Sequence, residues 1–460
     1  MKLLDLAVIS ANPTFAARAR KCAEFFSFTF EHYSTDEEFF VASENYKSMS
    51  CVLLDCSQIT KPNEVAGVVQ VARQGSPDSY ILVVASSKLS SEDARIVKAS
   101  GASIVTMDNE YYSSSKLEFI LTQVIRSAFI PIKAVDLIPD SQLDFPLYYL
   151  LPLNGRFLKI SKPETVMRSD FLVKCQEMGE LYLRRSDLKI WTEYSNMYMA
   201  DDGESLARRC RLKFLQLNQS FLSLVLMVTD QSSAASFSQG KDLYDTCVEF
   251  ASELLKSLQD VKDPWSVVNN SAIGDFGSVE RAPAVAAYAG LLSLEAGIGT
   301  PLEVMIGALL SDIGYLDLSP STTEKIRSNK MKSMNGEEQM EYFKHPIFSL
   351  NQCLSRKLPL SEVIKDIVLQ SHERMDQKGF PNRPRPDKLR EEAMLVQLCW
   401  ELDEQSQVRM GEQKKIITDI KQQVIQASQR ETSRYSLSFT INLAKSLGKE
   451  GAADLRNIRT

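Results

Sequence analysis

Only three histidines occur among 460 residues, His32, His345 and His372. Two of them lie in the second half of the chain close to acidic residues. His345 precedes Pro346, and His372 opens the run His372-Glu373-Arg374-Met375-Asp376-Gln377-Lys378-Gly379-Phe380-Pro381. Asp312 stands in the apolar stretch Ala308-Leu309-Leu310-Ser311-Asp312-Ile313-Gly314. Imidazole and carboxylate are side chains that suit divalent iron or manganese. Each also has an ordinary structural use: a carboxylate that caps or hydrogen-bonds inside a bundle, a histidine at a helix start, a His–Glu polar pair on a pocket rim. A separate carboxylate, Asp55, ends the apolar run Cys51-Val52-Leu53-Leu54-Asp55-Cys56. Transfer of a phosphoryl group to such a residue needs a bound divalent cation to neutralise charge.

The bulk of the chain bounds what can position these groups. At 460 residues roughly two to four domains are expected. The hydrophobic share of 44% and charged share of 24% are those of a globular protein. The net charge of -6 argues against the broad basic surface of a protein that binds nucleic-acid polymers. Eight cysteines are scattered without metal-type pairing, so buried, reduced thiols of a cytosolic protein are expected. The N-terminal MKLLDLAVIS is broken by Asp5 and soon followed by Pro13, which reads as a first buried strand rather than a signal peptide. The longest strongly apolar stretch, Phe221 to Val228, is too short to span a bilayer. A cytoplasmic protein with no membrane span is expected.

Along residues 1–130, LLDLAVIS, CVLLDC, YILVVAS and SIVTM predict buried parallel strands, with helical spacing over 13–25, 63–74 and 90–99 between them. Repeated strand–helix units predict an α/β doubly wound domain. Residues 131–145 hold Pro131 and Pro139 with little periodicity and read as a linker. Over 145–200, LYYLLPLNGRFLKI predicts a hairpin about Asn154-Gly155, followed by a helix at 168–177, a strand at 181–183 and a helix from Ser186, a small α+β module. Arg184 and Arg185 there are candidates either for an anionic ligand or for a solvated edge. Residues 204–240 read as a helical connector that ends in a Ser-rich flexible join, Gln231 to Gly240. From 241 to 460, apolar faces at helical spacing over 241–260, 283–297, 301–311, 359–371, 389–404 and 413–428 predict an all-α bundle. The tail, 411–460, carries a similar face that packs either on another chain or on the bundle itself.

The spacing of residues 1–130 resembles a response-regulator receiver domain, with Asp55 where the phospho-acceptor would stand. Receivers hold their cation with an acidic pair after the first strand, where this chain reads Ser10-Ala11-Asn12. They use a Lys after the fifth strand, here Met107, and a Ser or Thr after the fourth, which Ala85-Ser86-Ser87 supplies only loosely. The expectation is an inert pseudo-receiver used for docking, with Asp55 a strand-end carboxylate rather than a phosphorylation site.

Residues 270–410 resemble the HD-GYP phosphodiesterases. Ala308 to Gly314 is similar to the family's ALLHDIG segment, His345-Pro346 to its HP motif, and Ser371 to Pro381 to its HHExxDGxGYP element. The resemblance implies an HD-GYP-like helical domain that cleaves cyclic di-GMP, using two or three adjacent divalent cations to make hydroxide at neutral pH and clamp the phosphate oxygens. Asp312, His345 and His372 match metal ligands of the family. Ser278, Ser311 and Ser371 replace ligand histidines, and Trp400 replaces an aspartate, while Asp403 is kept. Serine hydroxyls stay protonated near neutral pH and donate weakly to such cations, and indole donates nothing. Tyr315 stands for a family Lys, and Phe380 for the Tyr of GYP. Arg374, Phe380 and Arg409 are candidates for contacts with the dinucleotide, although Glu412 would repel its phosphates.

Together the two resemblances imply a multidomain, degenerate HD-GYP protein of bacterial signalling. The expected function is a catalytically inactive scaffold or regulator that docks other signalling proteins and admits a homodimer. The alternatives are a receptor that binds cyclic di-GMP without cutting it and a weak metal-dependent phosphodiesterase. No cofactor is expected beyond a residual single divalent metal, iron or manganese.

Overall fold

The computed structural model describes the chain except residues 1, 127, 152–155, 179, 201, 236, 272–277, 329, 405–419, 431–433 and 449–460. The first part is a parallel five-stranded sheet. Its strands are β1 (Lys2–Ile9), β2 (Phe30–Tyr33), β3 (Tyr46–Cys56), β4 (Tyr80–Ala85) and β5 (Ile104–Met107), in the order β2-β1-β3-β4-β5. That order is one of the two common doubly wound arrangements. Helices Pro13–Phe25, Pro62–Gly75 and Ser91–Ala99 lie where the spacing predicts them. Asn12 accepts from Thr14 N–H to open the first, and Ser90 with Asp93 forms a capping box at the third. The spacing predicts neither β2 nor the helix Asp36–Ser43. β2 is an edge strand with no fully buried residue, and the helix buries only Phe39, so neither leaves an apolar run in the sequence.

Residues 131–145 are not a linker. β6 (Phe129–Lys133) pairs antiparallel with β11 (Glu180–Arg184), and β7 (Gln142–Leu143) pairs with β10 (Thr165–Val166). Pro131 is compatible with β6 because that strand lies at the edge of a four-stranded sheet, where a missing backbone donor is tolerated. The order of that sheet is β6-β11-β8-β9, with β8 (Tyr148–Leu151) and β9 (Arg156–Lys159) forming the expected hairpin. The Asn154-Gly155 turn itself lies outside the described residues. Helices Ser169–Met178 and Leu188–Met197 complete the module. The Arg184 guanidinium lies over the Tyr148 ring at 5.6 Å, and Arg185 is half-buried.

The helix Gly203–Thr229 is long and apolar enough to cross a membrane by length and composition alone, but 67% of its apolar window is buried inside the protein. It is a core helix. The described start of the join after it is a packed corner. Asp230, 1% exposed, accepts from Val105 N–H at 3.3 Å and pairs with Lys98, while Ser232 and Ser233 are buried. Serine-rich composition there serves turn hydrogen bonds, Ser233 Oγ bonding to Met227 O at 2.7 Å.

Helices Phe237–Gln259, Ser278–Ala296, Pro301–Leu310, Glu362–Gln370 and Glu391–Glu404 build the second half where the periodicity predicts them, together with His345–Ser355, which it does not mark. Helices Ile420–Arg430 and Leu437–Leu447 pack onto it, the latter burying Phe439 and Leu443, so the described part of the tail completes the bundle. One continuous core runs from Leu6 and Phe119 of the α/β domain through Phe214 and Phe221 of the long helix to Tyr288, Leu309 and Leu395.

Candidate metal centre

Asp312 sits between the helix Pro301–Leu310 and the single turn Ile313–Asp317. Gly314 lets this turn lie directly against the start of helix His345–Ser355. A Cβ there would fall 2.0 Å from His345 O and 2.6 Å from Ser349 N. Ser349 Oγ accepts from Gly314 N–H at 2.8 Å and donates to Ser311 O at 2.6 Å, which fixes the register of the two segments. Gly379 plays a similar part beyond His372, where a Cβ would meet Arg374 N and His372 O at 2.6 Å.

These constraints converge three side chains. His345 Nδ1 lies 2.7 Å from Tyr342 O, and because a carbonyl only accepts, that nitrogen carries the proton. Its Nε2, fully buried, has no hydrogen-bond partner and stands 3.6 Å from Asp312 Oδ1. His372 Nε2 is 3.4 Å from the same oxygen. The coordinating atoms of Asp312, His345 and His372 all lie within 4.8 Å of one another. Burial pushes the His372 pKa below its ordinary 6.5, which favours the neutral ring. Burial alone would raise the Asp312 carboxyl, but the imidazoles of His345 and His372 beside it outweigh this and hold it well below the usual carboxylate range. His345 Nε2 and His372 Nε2 both face Asp312 Oδ1, and two imidazoles with one carboxylate are a donor set that fits iron or manganese.

Three positions at which the resemblance implies further ligands, Ser311, Ser371 and Trp400, are closed. Ser311 Oγ lies 3.0 Å from Ala308 O and accepts from Trp400 Nε1 at 3.1 Å, all buried. Ser371 Oγ turns back to Val368 O at 3.3 Å. The Arg281 guanidinium lies 5.6 Å from the Trp400 ring centroid, with Nε 3.3 Å from Asp403 Oδ2, so the kept Asp403 faces a guanidinium. Ser278 opens the helix that carries Arg281. Burial also pushes the Tyr315 and Tyr342 phenols above their ordinary range, so both stay protonated and offer no phenolate.

The candidate ligand contacts fare differently from the metal triad. Arg374 forms a bidentate pair with Asp376 at 3.0 and 2.9 Å. The Phe380 ring stacks on His372, centroids 4.9 Å apart, and on Phe343 at 4.7 Å. Arg409 and Glu412 lie outside the described residues. Glu373 turns away from His372 to accept from Asn382 and Arg383 N–H at 2.6 and 2.9 Å, bracing the loop. Sequence reasoning does not single out Tyr342, which orients His345 and covers it. Its spacing of three residues before His345 is the available signal, although a helix boundary falls between them. In the α/β domain, Asp55 accepts from Ser10 Oγ and Ser57 Oγ at 2.6 Å each, so two neutral hydroxyls occupy its carboxylate oxygens.

Residues 262–438 match the family described as HD domain. No curated protein matches the chain by sequence. Among solved structures, an HDG"Y"P protein from Bdellovibrio bacteriovorus aligns with a TM-score of 0.39 and 15% identity, over 69% of this chain and 98% of that one. Asp312, His345 and His372 all fall inside the matched span.

Proposed function

We propose that this protein is a catalytically inactive HD-GYP-type scaffold or regulator in bacterial cyclic di-GMP signalling, acting in the cytoplasm by docking other signalling proteins. The observation that carries this reading is the bond from Trp400 Nε1 to Ser311 Oγ. It joins two positions at which the family resemblance calls for metal ligands and leaves neither to a cation. Asp312, His345 and His372 would hold a single divalent ion, iron or manganese, which would supply one Lewis-acid charge. Hydrolysis of a diester by adjacent metals needs a second ion to stabilise attacking and leaving oxygens together.

The α/β domain is read as a pseudo-receiver. Its strand order suits that reading, and Ser10 hydrogen-bonds Asp55 in the region where a receiver carries cation-binding acids. The internal pairing of Arg374 and the packing of Phe380 weigh against a dinucleotide receptor. Calorimetry and turnover assays with cyclic di-GMP and Mn2+ test all three readings. The scaffold gives no heat on addition of the dinucleotide and no product. Heat without product would establish the receptor, and product in proportion to Mn2+ the slow phosphodiesterase.

A further inference from the structure

The turn that follows Asp312 is held from outside the HD domain. Ser115, in the α/β domain at the start of helix Lys116–Leu121, donates its backbone N–H to Leu316 O at 3.0 Å. Its hydroxyl donates to Leu318 O at 2.9 Å and lies 2.5 Å from Thr323 Oγ1. Ser115, Leu316 and Leu318 are almost fully buried. Lys116, its side chain 9% exposed, lies between Glu110 of its own domain at 2.5 Å and Asp317 at 3.4 Å. Further along the same segment, Gln123 Nε2 donates to Glu280 Oε1 at 3.1 Å. The other side of the turn faces the metal triad, where the Tyr315 ring packs on His345 with centroids 4.5 Å apart.

We infer that the α/β domain is a positioning element of the candidate metal centre, with Ser115 and Lys116 as its positioning residues. They give the Leu316 and Leu318 carbonyls and the Asp317 carboxylate partners from outside the helical half. A buried carbonyl without a partner is costly, so the turn keeps the conformation that brings Asp312 to the histidines only while the α/β domain is seated. Cation affinity and domain seating are therefore linked, and the linkage is reciprocal. A partner that pulls on the α/β domain loosens the centre, and a cation at the centre tightens the seam.

The inference rests on the reading of Asp312, His345 and His372 as a site for one cation, and the test separates the two. The probe is Mn2+ alone, titrated into the full chain, with hydrogen exchange followed over 116–123 and 313–318. In the wild type, Mn2+ is expected to slow exchange in both segments. In the variant Ser115→Ala with Lys116→Gln, Mn2+ affinity is expected to fall about tenfold, within the usual range of coupling between sites. Ser115→Ala alone covers the case in which the double variant does not fold, and Lys61→Ala, on the exposed surface, is the control. Wild-type affinity in a folded variant, with Mn2+ leaving 116–123 unchanged, overturns the linkage. If the wild type binds no Mn2+, the metal reading fails, and apo exchange decides alone. Faster exchange over 313–318 in the variant then keeps the positioning role, and unchanged exchange ends it.

Discussion

Trp400 donates its indole N–H to Ser311 Oγ across 3.1 Å in the interior of the helical half. Ser311 adjoins Asp312 in the chain, yet the two side chains face different chemistry. Asp312 meets two imidazole nitrogens, while Ser311 meets a donor that has no lone pair to give a cation. One side of the site keeps a metal-type donor set, and the other is knitted shut by hydrogen bonding and by Arg281 over the indole.

Trp400 is expected to act as a core residue. Trp400→Phe loses one buried hydrogen bond and should cost about 1 kcal/mol. Trp400→Ala removes most of the ring and should cost about 3–5 kcal/mol. Urea unfolding of the full chain measures both, and neither variant should alter Mn2+ binding. A Trp400 variant that gains affinity for a second cation would mean that the indole only screens a competent site.

Asp312→Asn keeps the size of the side chain and removes the charge shared by His345 and His372. The rise in melting temperature on adding Mn2+ should disappear in this variant. His32→Gln, at the remaining histidine, which bonds Ser10 O in the α/β domain, should keep it. Equal shifts in both variants would place the cation elsewhere.

The pH dependence of the metal-free protein derives from the same group. The folded-state pKa of His372 is depressed below 6.5 by burial. Between the depressed value and 6.5 the unfolded chain binds more protons than the folded one, so stability falls as pH falls through that window. Asp312, also depressed, adds loss in the same direction at lower pH, below its ordinary 3.8. Chemical unfolding with chelator present should show stability dropping below about pH 6.5, and His372→Gln should flatten the upper part of the drop. A flat profile in the unsubstituted protein from about pH 7.5 to 5 would contradict the burial of a neutral His372.

Gly314→Ala drives a Cβ into the His345 carbonyl and Ser349 N, both backbone atoms that cannot rotate away. Overpacking of this kind costs about 1–3 kcal/mol. Because the displaced turn carries Asp312, the Mn2+ response should weaken along with stability. Gly336→Ala, where a Cβ meets nothing, is the comparison that should leave both unchanged.

Much of this architecture is legible in the sequence because the deciding residues are local. The apolar runs of β1, β3, β4 and β5 and the periodicity of the long helix Gly203–Thr229 mark their elements directly, and the three motif stretches place Asp312, His345 and His372 in one region. The features that stay hidden depend on contacts between distant segments. β6 resembles a linker in sequence because Pro131 breaks its pattern, and only its edge position makes that tolerable. The Ser-rich join has the composition of a flexible segment, yet Asp230 meets Val105 and Lys98 of the α/β domain. Arg374 is spaced to reach a phosphate, but Asp376 two residues on already takes both arms of its guanidinium. The hold of Ser115 on Leu316 and Leu318 spans about half the chain and leaves no mark in composition or spacing.

The central claim is that this helical half retains ligands for one cation and cannot assemble an adjacent pair. Mn2+ stoichiometry on the chelator-stripped full chain, read together with cyclic di-GMP turnover in the same samples, tests it most directly. The expected result is no more than one Mn2+ per chain, lost in Asp312→Asn, with no product formed. Two Mn2+ per chain accompanied by rapid turnover would contradict it.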